Sequence, residues 1–388
     1  MKRHFFKRLS CLLAMLLCLT AITAHQALFA AVKGSGTTLL RPLGLTDLSA
    51  AELALQSTFA VHFIDVGQAD AALVLCDGHA MLIDGGNAAD SSRIYTYLKS
   101  RGVDYLDYIV CTHPHEDHVG GLSGALNYAK IGIALCSVTS FDSKPFHNFI
   151  SYLSRQGKSL SIPNAGDTFQ LGSASVQIIG PVRLSDDINN MSIVLRAVYG
   201  DTSFLFTGDA EREEEQDILE AGYPLSATVL KVGHHGGSDS TTYPFLREIA
   251  PEYAVISVGK GNNYGHPTEN TLSRLRDVGA KVYRTDMQGD IICESDGQRV
   301  QFTVSRNEDA DTLGNAGKTQ ESSTGQSNGN DSQPGTTRSY ILNTNTRVFH
   351  NPDCKSTTKM SEKNKTSLEG TREEAIALGY SPCAICRP

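Results

Sequence analysis

Beyond residue 31 the 388-residue chain has no long apolar run, so the body of the sequence carries no signal for a membrane-spanning helix. It also lacks an excess of basic charge: 34 Lys and Arg stand against 42 Asp and Glu, a formal net charge of −8. That balance excludes a generally basic nucleic-acid-binding surface and leaves only local basic patches open. No Ser-His-Asp elbow and no phosphate-binding loop compete for the chemistry: the string Gly325-Gln-Ser-Asn-Gly329 follows no apolar strand pattern. A disulfide framework is missing as well. Of nine cysteines, Cys76, Cys111, Cys136 and Cys293 lie in or beside apolar strand-like runs, the pattern of buried free thiols.

What is present falls into blocks. Residues 1–31 read as an export signal: Lys2, Arg3, Lys7 and Arg8 form a positive start, and residues 9–24 are an uncharged run rich in Leu and Ala. At 16 residues the run falls short of the roughly 20 that span a bilayer. Ala24, Ala30 and Ala31 are cleavage candidates; left uncut, the run becomes a membrane tether. A secreted or extracytoplasmic protein is expected, with its oligomeric state left open. Residues 32–57 connect this segment to a domain over 58–305, where strand and helix patterns alternate and a hydrophobic content of 40% suffices for a sizeable core. Strand patterns fall at 59–65, 72–76, 80–84, 108–112, 176–180, 192–199, 202–207, 227–232, 253–258, 281–284, 291–294 and 301–305. Helical patterns cover 91–101, 120–128, 146–156, 211–221, 243–249 and 268–277. Two β-rich halves with flanking helices predict an α/β (α+β) fold of two packed sheets with helices outside. Residues 306–338 have almost no apolar side chains and predict a disordered linker, after which 339–388 regain apolar content as a small module.

The chain is organised around Thr112-His113-Pro114-His115-Glu116-Asp117-His118-Val119-Gly120-Gly121, which follows an apolar strand pattern. Histidines two apart on an extended segment point the same way, and Asp117 and His118 then fall on the turn into a helix, facing a second position. Imidazole and carboxylate together suit zinc, manganese or iron without a thiolate. Asp209 ends the apolar run Phe204-Leu-Phe-Thr-Gly, well placed to bridge two metals; capping the following helix is its plainer role. His234 and His235 share a Gly-rich turn after another strand, where adjacent side chains diverge and one is expected to ligate. Asn190 opens a strand with a neutral amide, and His266 follows strand 253–258, where a structural and a functional role are equally open. Asp65 and Asp84 precede Gly-rich turns; turn formation is the plain reading. For Asp84 a sharper one exists, holding a ligand imidazole by its other nitrogen.

These pieces carry a resemblance. Phe63-Ile-Asp-Val-Gly-Gln-Ala-Asp70, Leu82-Ile-Asp-Gly-Gly86, the 112–121 stretch, Asn189-Asn-Met-Ser192, Phe206-Thr-Gly-Asp209 and Leu230-Lys-Val-Gly-His-His-Gly236 come in the order seen in the metallo-β-lactamase fold superfamily. Within it the chain resembles the hydrolase domain of the ComEC/Rec2 competence-protein type. The resemblance implies a four-layer αββα sandwich and a two-metal site of His113, His115, Asp117, His118, Asp209 and one of His234/His235, with His235 preferred. It does not imply transport, since the channel-forming segments of that type have no counterpart here. Many superfamily members carry a third His where this chain has Asn190. The expected cofactors are therefore two divalent metals (Zn or Mn), the one at His113 and His115 held more weakly. A second departure is the turn His-His-Gly-Gly-Ser, which shifts Ser238 from the superfamily's serine position.

Two divalent ions roughly 3.5–4 Å apart can share and activate a water and clamp an in-line displacement at phosphorus. The expected activity is metal-dependent hydrolysis of a phosphodiester, with extracellular DNA or another phosphodiester polymer as partner. Asp117 orients the water, His234 or His266 protonates the leaving group, and Asn190 faces the site. The alternatives are a phosphorylcholine-esterase-like or other ester hydrolase of the cell surface, and a non-catalytic DNA-binding protein. At the C-terminus His350-x3-Cys354 and Cys383-x2-Cys386 supply four ligands for a closed structural zinc, a staple that a module of about 50 residues needs. Disulfide pairing is the alternative for an exported chain. This segment resembles the small zinc-binding domain of the Ada DNA-repair family, including Glu-Glu-Ala-Ile-Ala-Leu-Gly-Tyr before the last Cys pair, which leaves a DNA anchor and a purely structural fold both open.

Overall fold

The structure, a computed structural model, describes residues 59–314, 337–383, 386 and 388. The expected export signal, the 32–57 connector and residues 315–336 of the expected linker lie outside the described residues.

The first half supplies β1 (Phe59–Phe63), β2 (Ala72–Cys76), β3 (His79–Ile83), α1 (Ser91–Ser100), β4 (Tyr105–Cys111), the short α2 (Glu116–Val119), α3 (Leu122–Tyr128), β5 (Lys130–Cys136), α4 (Lys144–Arg155) and β6 (Leu160–Ser161). Next come β7 (Thr168–Leu171), β8 (Ala174–Gly180), β9 (Val194–Tyr199), β10 (Thr202–Phe206), α5 (Arg212–Ala221) and β11 (Val229–Lys231). The half ends with α6 (Tyr243–Ile249), β12 (Tyr253–Ile256), α7 (Glu269–Asp277), β13 (Lys281–Arg284), α8 (Thr285–Gln288), β14 (Ile291–Ser295) and β15 (Val300–Val304). One sheet runs β15-β14-β1-β2-β3-β4-β5-β6 and the other β13-β12-β11-β10-β9-β8-β7. Each is antiparallel on one side and parallel on the other, with β3 to β6 and β10 to β13 as the parallel runs.

The layers follow from side-chain alternation. In β1, Phe59, Val61 and Phe63 point into the core between the sheets, where Phe59 meets Phe204 at 4.7 Å and Phe63 meets Phe206 at 6.2 Å between ring centroids. Each such buried aromatic contributes about 1.5–3 kcal/mol. His62, between them, points the other way and meets the Tyr97 hydroxyl of α1 at 2.9 Å. Outer cores form where Ile94, Leu122 and Phe149 cover the first sheet, and where Ile218, Leu246 and Leu272 cover the second. The architecture is the expected four-layer αββα sandwich. Parallel strands direct their carboxyl ends to one edge, where ligand sites of such sheets form. Asp84 follows β3, the 112–118 segment β4, Asp209 β10, and His234–His235 β11. At that edge the loops touch: a Cβ on Gly121 would sit 1.9 Å from the Gly85 carbonyl oxygen, so only glycine allows the approach.

Three strands depart from the sequence reading: β5, β6 and β7 were not foreseen. The linker's start differs too. Thr312 Oγ1 donates to the Val282 carbonyl (2.7 Å), and the buried Arg284 donates to the Thr312 carbonyl (3.2 Å), so residues 307–314 are fastened to the domain by backbone groups that composition does not reveal. The module begins at Arg338, with β16 (Arg338–Asn343), β17 (Val348–His350), β18 (Lys365–Gly370), α9 (Arg372–Ala377) and β19 (Ser381–Pro382) in a sheet ordered β18-β16-β17-β19. Its core of Tyr340, Phe349, Ile376 and Tyr380 also includes Tyr243 of α6, and Arg372 pairs with Asp277 at 2.8 Å. The module is therefore docked on the αββα domain. Among the described residues no helix is long and apolar enough to cross a membrane.

Candidate metal centre

The site is built from strand ends. Asp84, left-handed at φ 57°, turns its carboxylate back under β4. The Thr112 amide donates to its Oδ1 and the Thr112 hydroxyl to its Oδ2, both at 2.8 Å, and Oδ2 also receives His118 Nδ1 at 2.8 Å. That fixes the His118 ring with Nε2 directed at Asp209 Oδ2, 3.2 Å away. Asp84 thus holds a ligand imidazole by its other nitrogen, the sharper of its two readings. Asp65 keeps the plainer one: its Oδ1 accepts the Gly67 amide of its own turn.

Asp209 lies at the centre. Its Oδ2 is 3.9 Å from His113 Nε2, 3.7 Å from His235 Nε2 and 3.8 Å from His234 Nε2. The helix-capping role is not its own, because the N-cap of α5 is Glu211. Asp117 Oδ2 closes the group at 3.3 Å from His235 Nε2, so ligand atoms of Asp117, His118, Asp209 and His235 all fall within 4.8 Å of one another. On the other side His113 Nε2 and His115 Nδ1 face each other at 3.0 Å. His118 Nε2 and Asp209 Oδ1 are buried without a hydrogen-bond partner. Buried lone pairs left open beside carboxylates are unfavourable without a cation, so the donor set fits a divalent metal. Burial alone would raise the Asp209 carboxyl, yet His118 and His235 overcome it and hold the group well below the ordinary range. His113 is pushed the other way: burial, with His118 adding, keeps its imidazole neutral, the state that ligates.

His235 is oriented by residues that the sequence reading left without a role. Its Nδ1 meets the Ser257 carbonyl at 3.0 Å and Asp70 Oδ1 at 3.2 Å, and Asp70 Oδ2 pairs with Lys231 Nζ at 2.7 Å. Lys231 also donates to the Val232 carbonyl at 2.8 Å, and both charged groups are buried. The signal was available: a lysine inside an apolar strand requires a partner. His234 and His235 both adopt left-handed backbone angles (φ 46° and 52°), at a cost of about 1–2 kcal/mol each. That conformation separates the two rings. His235 enters the cluster, while His234 Nδ1 turns to Asp239 Oδ1 (3.1 Å) and Glu211 Oε1 (3.4 Å).

His266 stands next to His234, ring centroids 5.5 Å apart, at the rim and outside the ligand cluster. Asn190 is not brought into that cluster either. Its Oδ1 accepts from the Glu211 and Glu214 amides at 3.0 and 3.3 Å, satisfying the free donors at the start of α5. The structure thus gives the Asn190 oxygen a task at the start of α5, outside the ligand cluster. In the module, His350, Cys354, Cys383 and Cys386 also converge within 4.8 Å, with Cys354 Sγ 3.9 Å from Cys383 Sγ.

The sequence profile of the metallo-β-lactamase superfamily matches residues 64–260, half of the chain. The chain belongs to that superfamily. Among curated proteins the chain is 31% identical over 257 residues to ComE operon protein 3 of Bacillus subtilis, covering 61% of this chain and 33% of that one. It is 33% identical over 234 residues to competence protein ComA of Neisseria gonorrhoeae (59% and 31% covered) and 28% identical over 242 residues to recombination protein 2 of Haemophilus influenzae (60% and 28%). The chain thus spans about a third of the length of these relatives.

Proposed function

We propose that the chain is an exported metal-dependent phosphodiesterase, acting as a nuclease on extracellular DNA. The observation that carries this reading is the convergence of Asp117, His118, Asp209 and His235 around open, buried lone pairs, with His113 and His115 paired beside them. Divalent cations held there, zinc or manganese, supply Lewis acidity to a phosphoryl oxygen and lower the pKa of a water. The chain's own residues orient the rest. Asp84 and Asp70 aim His118 and His235, and Asp209 stands between the two halves. His234, fixed at Nδ1 by Asp239 and Glu211, presents Nε2 toward Asp209, which supports a role as proton donor to a leaving oxygen. The engagement of Asn190 with α5 supports a weaker cation on the His113/His115 side. Competence and recombination, for which relatives are named, favour DNA as the polymer, and the positive, apolar N-terminus supports export.

For the module we propose a structural zinc. The 3.9 Å between Cys354 and Cys383 sulfurs is far beyond an S–S bond of about 2.05 Å. It is close to the roughly 3.8 Å edge of a tetrahedron with Zn–S near 2.3 Å.

The test is a screen of single- and double-stranded DNA, RNA, bis-p-nitrophenyl phosphate and a phosphorylcholine ester with Mn²⁺ or Zn²⁺, using Asp117→Ala as control. DNA cleavage that falls at least 100-fold in Asp117→Ala is expected. Metal-loaded protein that cleaves no phosphodiester would overturn the reading.

A further inference from the structure

Where the module docks, a groove of about 740 Å³ runs along the seam. One wall belongs to the hydrolase domain and includes Glu211 and Asp239, the two carboxylates that hold His234. The other belongs to the module: the β16–β17 turn, whose last residue is Arg347, with Leu378 and Gly379 beside it. The groove therefore starts one side chain away from the metal centre and ends on the module.

Its charged groups are Asp187, Glu211, Glu213 and Asp239 against Arg212 and Arg347. The acids are mostly engaged already. Glu211 accepts from Asn189 (2.8 Å) and faces His234, Asp239 faces His234, and Asp187 accepts the Asn189 amide at 3.0 Å. The two guanidiniums differ from them: among the described residues neither forms an ion pair, and Arg347 lies over the Tyr380 ring, 5.1 Å from its centroid. Burial holds Arg212 below its ordinary pKa, with Glu215 opposing and the charge of Arg347 adding to the fall. Two cations, one from each side of the seam, thus line one groove, where Arg347 lowers and Asp239 raises the pKa of Arg212. A phosphate between them would relieve the repulsion and accept from both.

We propose that Arg212 and Arg347 form a phosphate subsite for the polymer chain flanking the scissile group, so that the module completes the substrate groove. The inference rests on the phosphodiester reading above and deepens it. The shared chemistry is a backbone phosphate, from DNA or from a poly(glycerol phosphate) of the cell surface.

The experiment measures binding rather than cleavage. Full-length, metal-loaded protein is titrated into a fluorescein-labelled phosphorothioate oligodeoxythymidylate by anisotropy, at several salt concentrations, with poly(glycerol phosphate) as competitor. Arg347→Glu and Arg212→Gln are each expected to weaken binding of the preferred polymer about tenfold and to reduce the salt slope by about one. Lys363→Glu, the same charge change as Arg347→Glu at an exposed module position, is the control. Far-UV spectra and melts confirm folding, and Arg212→Gln decides if Arg347→Glu fails to fold. Effective competition with little oligonucleotide binding would assign the subsite to the cell-surface polymer. Affinities for both polymers unchanged within twofold in the folded arginine variants, or lowered equally by Lys363→Glu, would overturn the inference. A wild-type protein that binds through these arginines but cleaves nothing would overturn the catalytic reading alone.

Discussion

A buried lysine at the end of an apolar strand has to be paired, and at Lys231 the pairing reaches the metal centre. Its Nζ lies 2.7 Å from Asp70, whose other oxygen faces His235 Nδ1 at 3.2 Å, so one buried ion pair sets the direction of a ligand ring. Asp70→Asn should lower affinity for the cation at Asp117, His118 and His235 by about 10–100-fold. It should also cost about 3–5 kcal/mol of stability, because Lys231 is left buried without its counter-charge. The two effects separate in the double variant Asp70→Leu/Lys231→Met: urea melts should show most of the stability restored, while calorimetric metal titration still shows the weakened site. Metal affinity at the wild-type level in both variants would rule out positioning. At this scale the sequence was legible where spacing alone encodes geometry. His113, His115, Asp117 and His118 sit in one segment, and the structure places Asp117 and His118 in one cluster with Asp209 and His235, with His113 and His115 facing each other beside it. It was not legible where a partner comes from a loop distant in sequence, as Asp70 between β1 and β2 does for Lys231, or where a backbone amide competes for a side chain. Asn190 looked available for chemistry until the amides opening α5 claimed its oxygen.

Elements carry the same lesson through their packing. The apolar strands β1, β3, β10 and β12 are continuous runs buried on both faces, and such runs are readable without a structure. By contrast β7 (Thr-Phe-Gln-Leu) is a half-exposed edge strand, β6 has two residues, and β5 opens with Lys130 and is interrupted by Gly132. β6 and β7 concentrate too few apolar side chains to announce a strand, whereas the apolar Ile133-Ala-Leu-Cys136 end of β5 was a signal that the sequence offered. The Gly-Gly after His118 read as a helix opening. The structure adds a steric requirement, since the Gly121 position faces the Gly85 backbone and the Gly121 amide donates to the Gly86 carbonyl at 3.0 Å. Gly121→Ala therefore pushes two loops apart, the one carrying Asp84 and the one carrying His118. The clash is with backbone, which cannot rotate away, so the loss should lie at or above the upper end of the usual 1–3 kcal/mol for overpacking. Thermal melts check the stability, and metal content after dialysis checks the site, which should lose cation even where the fold survives. An alanine variant with wild-type melting and metal content would show that the loops can slide, and that the contact positions nothing.

For the whole molecule, the sequence divided the chain into a hydrolase and a tethered module, and composition alone supports no closer relation. The contacts that join them are long-range and individually ordinary. Tyr243 of the hydrolase enters the module's core beside Tyr340 and Phe349, and Arg372 meets Asp277 at 2.8 Å. A partly exposed pair such as Arg372–Asp277 is worth less than about 1 kcal/mol, whereas burying an aromatic ring contributes about 1.5–3 kcal/mol, so apolar burial at Tyr243 dominates the docking. The module itself has few apolar residues in its core, and the cluster of His350, Cys354, Cys383 and Cys386 must supply what that core lacks. Zinc binding and docking should therefore be linked. Cys383→Ser is expected to remove one zinc per chain by elemental analysis and to melt the module at a lower temperature than the hydrolase domain, giving two transitions. Small-angle scattering should then show a larger radius of gyration, because Phe349 and Tyr340 can no longer hold Tyr243. Arg372→Ala should leave zinc content and dimensions unchanged, since it removes the partly exposed pair and hydrogen bonds to Tyr243 and the Pro388 carbonyl but leaves the apolar burial of Tyr243 in place. If Cys383→Ser keeps both the zinc and the compact form, the four residues are not a structural metal site. If it loses zinc yet stays compact, docking is independent of the metal, and the module's own hydrophobic core is sufficient to keep it beside the hydrolase.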